Sequence, residues 1–504
     1  MSGLLWQNAN GDWMLGQMLL HPARDPKAAA AQDLAGLLSK ARPEDLVVLA
    51  GLGLGWHAVA IHEAPNRPHV VAYEPDTAIG RQQVATGPDL SWLNVAGDPH
   101  RLTELIAERV VYAGTSRVAV FSPPAYRNTL PLLANHVREL VAGVVDRGRS
   151  DSLTRRTHGL RWASLAAENI EFVLRTPDAV SLPGAFKGLP AFIVGAGPSL
   201  SQSLDDLAKV QDKGLILCAA SALGPLASVG VAPHCAVALE AKDESRQFVG
   251  TNLEAITLIA ASNSHGNHFK KWPGPLAHAH LLPWLAQLCG GAAVPNGGHA
   301  SSLAFTLAYV WGCDPIVLVG QDLAYTGGKV HAEGRPGGEE DGVQGQLTTA
   351  AIGGGTVRTS PTFHSYINWY QESASYVARG GAGVRLINAS SAGALIPGFR
   401  HMPLHEATAG MAEIAMTRQR FNEILAEGRM VERHALAGNL GAARQQLRAA
   451  IANAGGKDAG ALKIQEAPAV VAYAVECAGG STEMLPDVLK HLLECVLRME
   501  QRRG

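Results

Sequence analysis

The sequence FIVGAGPSLSQSLDDL (Phe192–Leu207) runs from apolar residues through a glycine-rich turn into a polar segment with helical character. This order is typical of a nucleotide-binding α/β domain. The third glycine of a dinucleotide fingerprint would fall at Leu200, so the match to that fingerprint is poor. Pro198 suits a first helical turn, and Ser199 lies near the helix start, where free N–H groups favour phosphate. An ordinary capped turn and a phosphate site both remain open.

Strand-like and helix-like segments alternate on both sides of this stretch, which favours parallel sheets covered by helices. Beyond about His405 the composition becomes rich in alanine, glutamate and arginine, as helices prefer. We therefore predict an α/β protein with two Rossmann-like domains with parallel-rich sheets and an all-helical C-terminal region. The predicted domains are an N-terminal Rossmann-like domain (1–130), a helical linker (131–185), a central domain (186–403) and a C-terminal helical domain (404–504).

Composition and charge narrow the class of protein. The apolar fraction is 47%, the charged fraction is 17% and the formal net charge is −2, so no nucleic-acid partner is indicated. Six scattered cysteines without C-x-x-C spacing are typical of reduced thiols in a cytosolic protein, and no signal peptide is evident. A long uncharged run at 215–239 contains two prolines, which argues against a membrane span. We expect a soluble, cytoplasmic protein.

A second glycine turn, GLGLGWH, contains Gly51, Gly53 and Gly55, and Glu74 follows at the end of the next predicted strand. This layout matches a dinucleotide site, in which the acid accepts ribose hydroxyls, and an S-adenosylmethionine site would look similar. A tight turn without a ligand has the same pattern. The sequence alone does not separate these alternatives.

Several motifs of the central region, taken in order, resemble the motility accessory factor (Maf) family of bacterial proteins linked to flagellin glycosylation. They are VGAGPSL, LCAASALGPLASVGVAPHCAVALE, GGHASSLAFTLAYVWGCDPIVLVGQDLAYTGGKVHAEG and LINASSAGALIPGF, within residues 180–400. The segment GLGLGWHAVAIHE and the later YEPD are similar to the family's N-terminal domain. The central domain also resembles bacterial sialyltransferases, whose fold is a variant of the GT-A glycosyltransferase fold.

The resemblance implies an enzyme, a flagellin O-glycosyltransferase required for flagellum assembly and motility. It would move a nonulosonic acid, of the pseudaminic or legionaminic type, from a CMP-sugar to serine or threonine of flagellin. No metal or other cofactor is implied, and the partners are flagellin and the CMP-activated sugar. Which nonulosonic acid is used, which flagellin residues accept it, the oligomeric state and the task of the N-terminal domain all stay open.

The resemblance also implies site residues. The nucleotide would be held by the glycine turn and by serine and acidic residues near the strand ends: Gly195, Gly197, Pro198, Ser199, Ser221, Glu240, Ser301 and Ser302. Ser221 and Glu240 stand roughly where the sialyltransferases have asparagines. Asp322 and Tyr325 match the end of a strand in those enzymes, and His364 matches their base.

The chemistry of transfer from a CMP-sugar supports the choice of residue types. A histidine can take the proton of the acceptor hydroxyl, and His331, in a glycine-rich loop, is a rival to His364. Tyr325 and Lys329 can meet the charge that develops on the departing phosphate. His265, Asn267 and His268 lack a further ligand at metal-binding spacing, so we predict no metal site there.

Two alternative functions remain. A pterin diphosphokinase would use ATP and Mg²⁺, with Asp322 and Glu240 as the obvious acidic ligands. A non-catalytic flagellin-binding chaperone would dock flagellin through the helical C-terminal region.

Overall fold

The computed structural model describes residues 5–107, 109–110, 117–326, 332, 347–381, 383–454, 468–478 and 484–502. Its strands are β1 (Leu5–Gln7), β2 (Trp13–Leu15), β3 (Met18–His21), β4 (Leu46–Ala50), β5 (His69–Tyr73), β6 (Asn94–Ala96), β7 (Val118–Phe121), β8 (Ala191–Val194), β9 (Leu215–Ala219), β10 (Cys235–Ala238), β11 (Thr257–Ala261), β12 (Leu276–Ala279), β13 (Ile316–Val319), β14 (Leu347–Ala350), β15 (Thr356–Thr359), β16 (Leu386–Asn388) and β17 (Arg400–His401).

The helices are α1 (Pro26–Leu38), α2 (Trp56–His62), α3 (Thr77–Thr86), α4 (Pro99–Ala107), α5 (Pro124–Thr129), α6 (Pro131–Glu168), α7 (Ile170–Val173), α8 (Leu200–Val210), α9 (Leu223–Ser228), α10 (Gly266–Lys271), α11 (Pro283–Leu288), α12 (Ala300–Val310), α13 (Pro361–Arg379), α14 (Leu404–Ala407), α15 (Arg418–Ala426), α16 (Arg433–Ala454), α17 (Ala469–Ala478) and α18 (Leu485–Arg502). The chain forms two compact units: residues 1–159 with 453–488, and residues 160–452 with 489–504.

The first unit contains a four-stranded parallel sheet in the order β6-β5-β4-β7. All five residues of β4 are buried, because helices cover both faces of a parallel sheet and leave no polar side. Leu46, Val48 and Ala50 pack towards α4 and α6 on one face, and Val47 and Leu49 pack towards α1 and α2 on the other. The strands β1, β2 and β3 form a small antiparallel sheet.

The second unit contains an eight-stranded sheet in the order β12-β11-β10-β9-β8-β13-β16-β17, in which every pairing is parallel. One face packs against α12 and α13, with Leu303 and Ile367 in the same core as Ile193. The other face packs against α8 and α9, with Leu207 in the core. The sheet is therefore the middle of three layers.

The described part of residues 404–504 contains helices and connecting turns only. In α16 the buried residues Leu436, Leu440, Ala443 and Leu447 recur at three- and four-residue spacing, so one face of the helix packs inwards. Two parallel-rich sheets and a helical C-terminal region confirm the predicted fold class. None of the helices in the described ranges is both long and apolar enough to cross a membrane.

Candidate functional site

The Gly195–Ser199 turn lies where the strand order of the eight-stranded sheet reverses. β8 continues through β9 to β12 on one side, and β13 pairs with β8 on its other side. Open parallel sheets bind ligands at the carboxyl ends of the strands beside such a reversal. Both the turn after β8 and the Gly320–Asp322 segment after β13 therefore occupy the position expected of a ligand site.

Asp322 holds the turn in place. Its carboxylate accepts hydrogen bonds from the Ser199 hydroxyl, with Oγ and Oδ1 2.5 Å apart, and from the Ser199 backbone N–H, with N and Oδ2 3.1 Å apart. Both side chains are buried. Burial raises the pKa of the Asp322 carboxyl, and the hydrogen bonds from Ser199 partly oppose that rise. Because Ser199 directly precedes α8, the Asp322 carboxylate lies at the helix N-terminus, where the sequence had left a phosphate site open.

The two glycines of the turn permit a close approach to the segment after β13. Gly195 N–H donates to Val319 O and Gly197 N–H donates to Gly320 O, each over 2.9 Å. A Cβ atom on Gly197 would lie 2.6 Å from Gly320 O and would also collide with the Asp322 carboxylate. The glycines are therefore required by contact between two loops of the protein itself.

The start of α12 contributes Ser301 and Ser302, both buried. The Ser302 hydroxyl donates to His299 O over 2.6 Å and accepts from Gly297 N–H over 2.8 Å, so it shapes the turn before the helix. Ser301 has no hydrogen-bond partner among the described residues, which leaves its hydroxyl free for a ligand. Since α12 connects the parallel strands β12 and β13 across one face of the sheet, it runs antiparallel to them, and its N-terminus lies at the same carboxyl edge.

A series of ring contacts connects Tyr325 to the start of α12. Ring centroids are 5.9 Å apart for Tyr325 and Phe363, 6.4 Å apart for Phe363 and Tyr366, and 4.2 Å apart for Tyr366 and His299. His364 lies between Phe363 and Tyr366 in sequence, in the first turn of α13, and is half-buried. Its Nδ1 atom is buried without a hydrogen-bond partner within the described ranges. The structure thus connects Tyr325, through Phe363 and Tyr366, to the start of α12, and His364 belongs to the same first turn of α13 as Phe363.

Two members of this series, His299 and Tyr366, were not singled out from the sequence. Burial lowers the pKa of His299 to about 3, so its ring is neutral near pH 7. Burial, together with the negative charge of Glu240, raises the pKa of Tyr366 to about 12, so its phenol remains a hydrogen-bond donor. The available signals were weak: His299 lies inside the quoted GGHASS motif, and Tyr366 follows His364 by two residues.

The remaining residues that the sequence suggested for the site are Ser221, Glu240, His331 and Lys329. Ser221 is half-buried just after β9, and Glu240 is exposed just after β10, where its backbone O accepts from His265 N–H. Both lie at the carboxyl edge, on the strands next in order to β8. His331 and Lys329 lie outside the described residues. Ala332 donates its N–H to Ala196 O over 2.9 Å, so the chain at that residue contacts the glycine turn.

The glycine turn of the first unit is filled by its own side chains. Leu52 N–H donates to Glu74 Oε2 and Gly53 N–H donates to the Tyr126 hydroxyl, each over 3.0 Å. The Tyr126 hydroxyl in turn donates to Glu74 Oε2 over 2.5 Å. A Cβ atom on Gly51 would collide with the Tyr126 ring. The acid that would accept ribose hydroxyls is therefore buried and already hydrogen-bonded, as a closed structural turn requires.

The histidines considered for a metal serve the protein backbone instead. His268 Nε2 accepts from Glu244 N–H over 3.2 Å, and His265 Nδ1 accepts from Asn267 N–H over 3.2 Å. In the part of the chain that the structure describes, the ligating side chains close enough to share a metal ion are Asp178, His278 and His280. These lie at the outer edge of the sheet, on and beside the edge strand β12.

Comparison with known proteins adds three findings. Residues 165–328 match the family model described as 6-hydroxymethylpterin diphosphokinase MptE-like. A search of curated proteins gave no significant match.

The structure resembles that of the MAf glycosyltransferase from Magnetospirillum magneticum AMB-1, with a TM-score of 0.55 and 15% sequence identity. The superposition covers 99% of this chain and 90% of that one. The likeness therefore extends over both units and is not limited to the central sheet. The resemblance found in the sequence motifs is confirmed, and the chain has the fold of a Maf glycosyltransferase.

Proposed function

We propose that this protein is a glycosyltransferase that moves a nonulosonic acid from a CMP-sugar to serine or threonine of flagellin. The observation that supports the proposal is that, in a chain with the Maf glycosyltransferase fold, ring contacts link Tyr325, just after β13, to the start of α12. Flagellin, the CMP-sugar and the metal-independent reaction belong to the proposal. They are what the resemblance of the sequence motifs to the Maf family implies.

In the proposed site, the cytidine nucleotide binds along the carboxyl edge between the glycine turn and the start of α12. The free hydroxyl of Ser301 and the N-terminus of α12 are suited to phosphate oxygens. Ser199 and Asp322 position the turn and do not contact the nucleotide through the Ser199 hydroxyl, because that hydroxyl already donates to Asp322.

The groups for the chemical step lie on and beside α13. His364 is the proposed base, since its unpartnered ring nitrogen can accept the proton of the acceptor hydroxyl. The Tyr325 hydroxyl is the proposed donor to the leaving phosphate, and Tyr366 supplies a second protonated phenol in the same series of rings. Such donors stabilise charge that grows in the transition state, so they lower the barrier more than they tighten substrate binding.

The first test is transfer by the purified full chain to flagellin, followed by intact-mass spectrometry with CMP-pseudaminic acid and CMP-legionaminic acid as donors. We expect a mass increase of one sugar residue with one of the two donors. For His364→Ala we expect the rate to fall by about 10²–10⁴-fold, the usual contribution of a general base. His405→Ala, an exposed histidine after β17, is the matched control and should transfer normally.

Each outcome has a distinct meaning. A normal rate in His364→Ala would remove His364 as the base without touching the glycosyltransferase proposal. Failure of the wild-type chain with both donors would contradict the proposal itself. If flagellin binding persisted in that case, the chaperone function would be favoured.

A pterin diphosphokinase is the second candidate, because the family model that matches residues 165–328 bears that description. Such an enzyme needs carboxylates for Mg²⁺. Both Asp322 oxygens accept hydrogen bonds from Ser199, which leaves Glu240 as the exposed acid at this edge among the sequence candidates. Formation of AMP from ATP, Mg²⁺ and 6-hydroxymethylpterin would establish this function, and thermal stabilisation by CMP but not by ATP with Mg²⁺ would oppose it.

A further inference from the structure

Three ligating side chains meet at the outer edge of the eight-stranded sheet. His278 belongs to the edge strand β12, His280 follows the end of that strand, and Asp178 lies beside His278 in a parallel bridge. One ligating atom from each of the three lies within 4.8 Å of the other two, and all three residues are buried. The ring centroids of the two histidines are 4.7 Å apart, so their side chains lie side by side.

The hydrogen bonds of His278 fix its tautomer. The Thr176 hydroxyl donates its single proton to Phe172 O over 2.8 Å. The same hydroxyl is 3.0 Å from His278 Nδ1, so Nδ1 must be the donor in that contact. The Nε2 atom of His278 therefore carries a lone pair. It is buried and has no partner among the described residues.

His280 presents a second unpartnered ring nitrogen. Its Nδ1 atom is 3.1 Å from the Ser262 hydroxyl, while its Nε2 atom is buried without a partner in the described structure. A buried polar atom without a hydrogen bond typically costs about 1–3 kcal/mol. Two such atoms in one cluster, beside a buried carboxylate, need an explanation. Histidines that bind metals use one ring nitrogen and bond the other to an oxygen of the protein, as both of these do.

Arg429 now neutralises the carboxylate of this cluster. Its Nη2 atom donates to Asp178 Oδ2 over 3.1 Å, while Asp178 Oδ1 accepts from Val180 N–H over 3.0 Å. The side chain of Arg429 is 47% exposed, so solvent is accessible to the guanidinium when it leaves the carboxylate. A divalent cation between Asp178 and the two histidines would then neutralise the carboxylate in place of Arg429.

We propose that Asp178, His278 and His280 form a binding site for Zn²⁺, and that Arg429 supplies the positive charge when the metal is absent. Two imidazoles and a carboxylate are a common zinc ligand set, with a fourth position left for water. Zinc–ligand bonds of about 2.0–2.2 Å require ligand atoms roughly 3.4 Å apart, so any pair of ligand atoms farther apart than this must move closer when the metal binds. The site lies four strand spacings from β8, about 19 Å, so it is separate from the site of the proposed transfer.

The test uses the full chain, freed of metal by a chelator and titrated with Zn²⁺ against a chromophoric competitor. We expect one tight equivalent in the wild type. We expect His278→Gln and His280→Gln each to weaken it by at least about 100-fold. Because the substitution Arg429→Gln removes the guanidinium that competes with the metal, it should tighten zinc binding by about tenfold. His234→Gln, another buried histidine remote from the cluster, is the matched control and should retain the equivalent.

Folding of every variant is checked by circular dichroism in chelator, because a buried substitution can simply unfold the chain. Should the histidine variants fail to fold, Co²⁺ binding to the wild type and to Arg429→Gln replaces them, with the visible spectrum reporting four-coordinate nitrogen and oxygen ligation. The proposal is overturned if the wild type binds no tight equivalent, or if His278→Gln and His280→Gln bind zinc as the wild type does. An octahedral Co²⁺ spectrum would overturn it as well.

Discussion

At the scale of single residues, the contact between Ser199 and Asp322 is the interaction on which the candidate site depends most. The two residues are 123 positions apart in sequence, and their side chains meet only because β8 and β13 are neighbours. The carboxylate accepts from both the hydroxyl and the N–H of Ser199, and the pair is buried. If either side chain is removed, the other is left buried without a hydrogen-bond partner, and an unsatisfied buried polar group destabilises the folded protein.

We expect Ser199→Ala and Asp322→Asn each to lower the free energy of unfolding by about 1–3 kcal/mol. In the double variant the costs should not add, with a coupling of about 0.5–3 kcal/mol, because both changes remove the same contact. Urea unfolding of the wild type, the two single variants and the double variant measures this coupling. Thr251→Ala, at an exposed position ahead of β11, is the control and should change stability little. Additive costs would show that the two residues act independently.

At the scale of elements, the turn between β8 and α8 has its shape because glycine alone fits it. We expect Gly197→Ala to destabilise the protein by roughly 1–3 kcal/mol or more, since the added methyl would overlap Gly320 O and the Asp322 carboxylate. It should also abolish thermal stabilisation by CMP if the turn shapes the nucleotide site.

The matched control for that change is Gly438→Ala in α16, where a Cβ atom meets nothing within 4 Å. Alanine is a better helix former than glycine, so this variant should gain about 0.5–1 kcal/mol. Equal effects of the two substitutions would contradict the argument from close approach.

The same elements show what the sequence could and could not predict. The apolar runs around Phe192, Leu217, Val237, Ile259 and Val317 predict strands from the sequence alone, because buried parallel strands carry few polar residues. The edge strand β12 was missed, since its short LAHA segment contains a polar histidine and no apolar run. The hydrogen bonds from Ser199 to the Asp322 carboxylate could not be predicted from the sequence, because they depend on which strands become neighbours in the sheet.

At the scale of the whole molecule, several histidines are buried in their neutral form. Burial lowers the pKa of His21 to about 3 and those of His234 and His268 to about 4. The unfolded chain takes up protons at these residues below about pH 6.5, and the folded chain does so only near pH 4 or below. Between these values the unfolded state binds more protons, so stability falls as the pH falls.

We therefore expect the free energy of unfolding to fall between pH 7 and pH 5 by up to about 1.4 kcal/mol per pH unit for each such histidine. His234→Gln should reduce this slope by about one histidine's share. In the wild type, His234 Nδ1 accepts from Ile216 N–H over 3.1 Å, and protonation would remove that acceptor. Chemical unfolding at several pH values measures the slope. An exposed histidine variant, His136→Gln, should leave it unchanged, and an unaltered slope in His234→Gln would contradict the assignment.

The pairing of β8 with β13 has a consequence for how the protein is made. A ribosome completes β8, β9, β10, β11 and β12 in that order, and all five can pair as soon as they emerge. One edge of β8 then remains without a neighbour until β13 is synthesised, more than 120 residues after β8, because Gly195 N–H has Val319 O as its acceptor. The glycine turn thus acquires its shape only after β13 has been synthesised, and a chain that ends before residue 316 contains the glycine motif but not the neighbouring strand that shapes it.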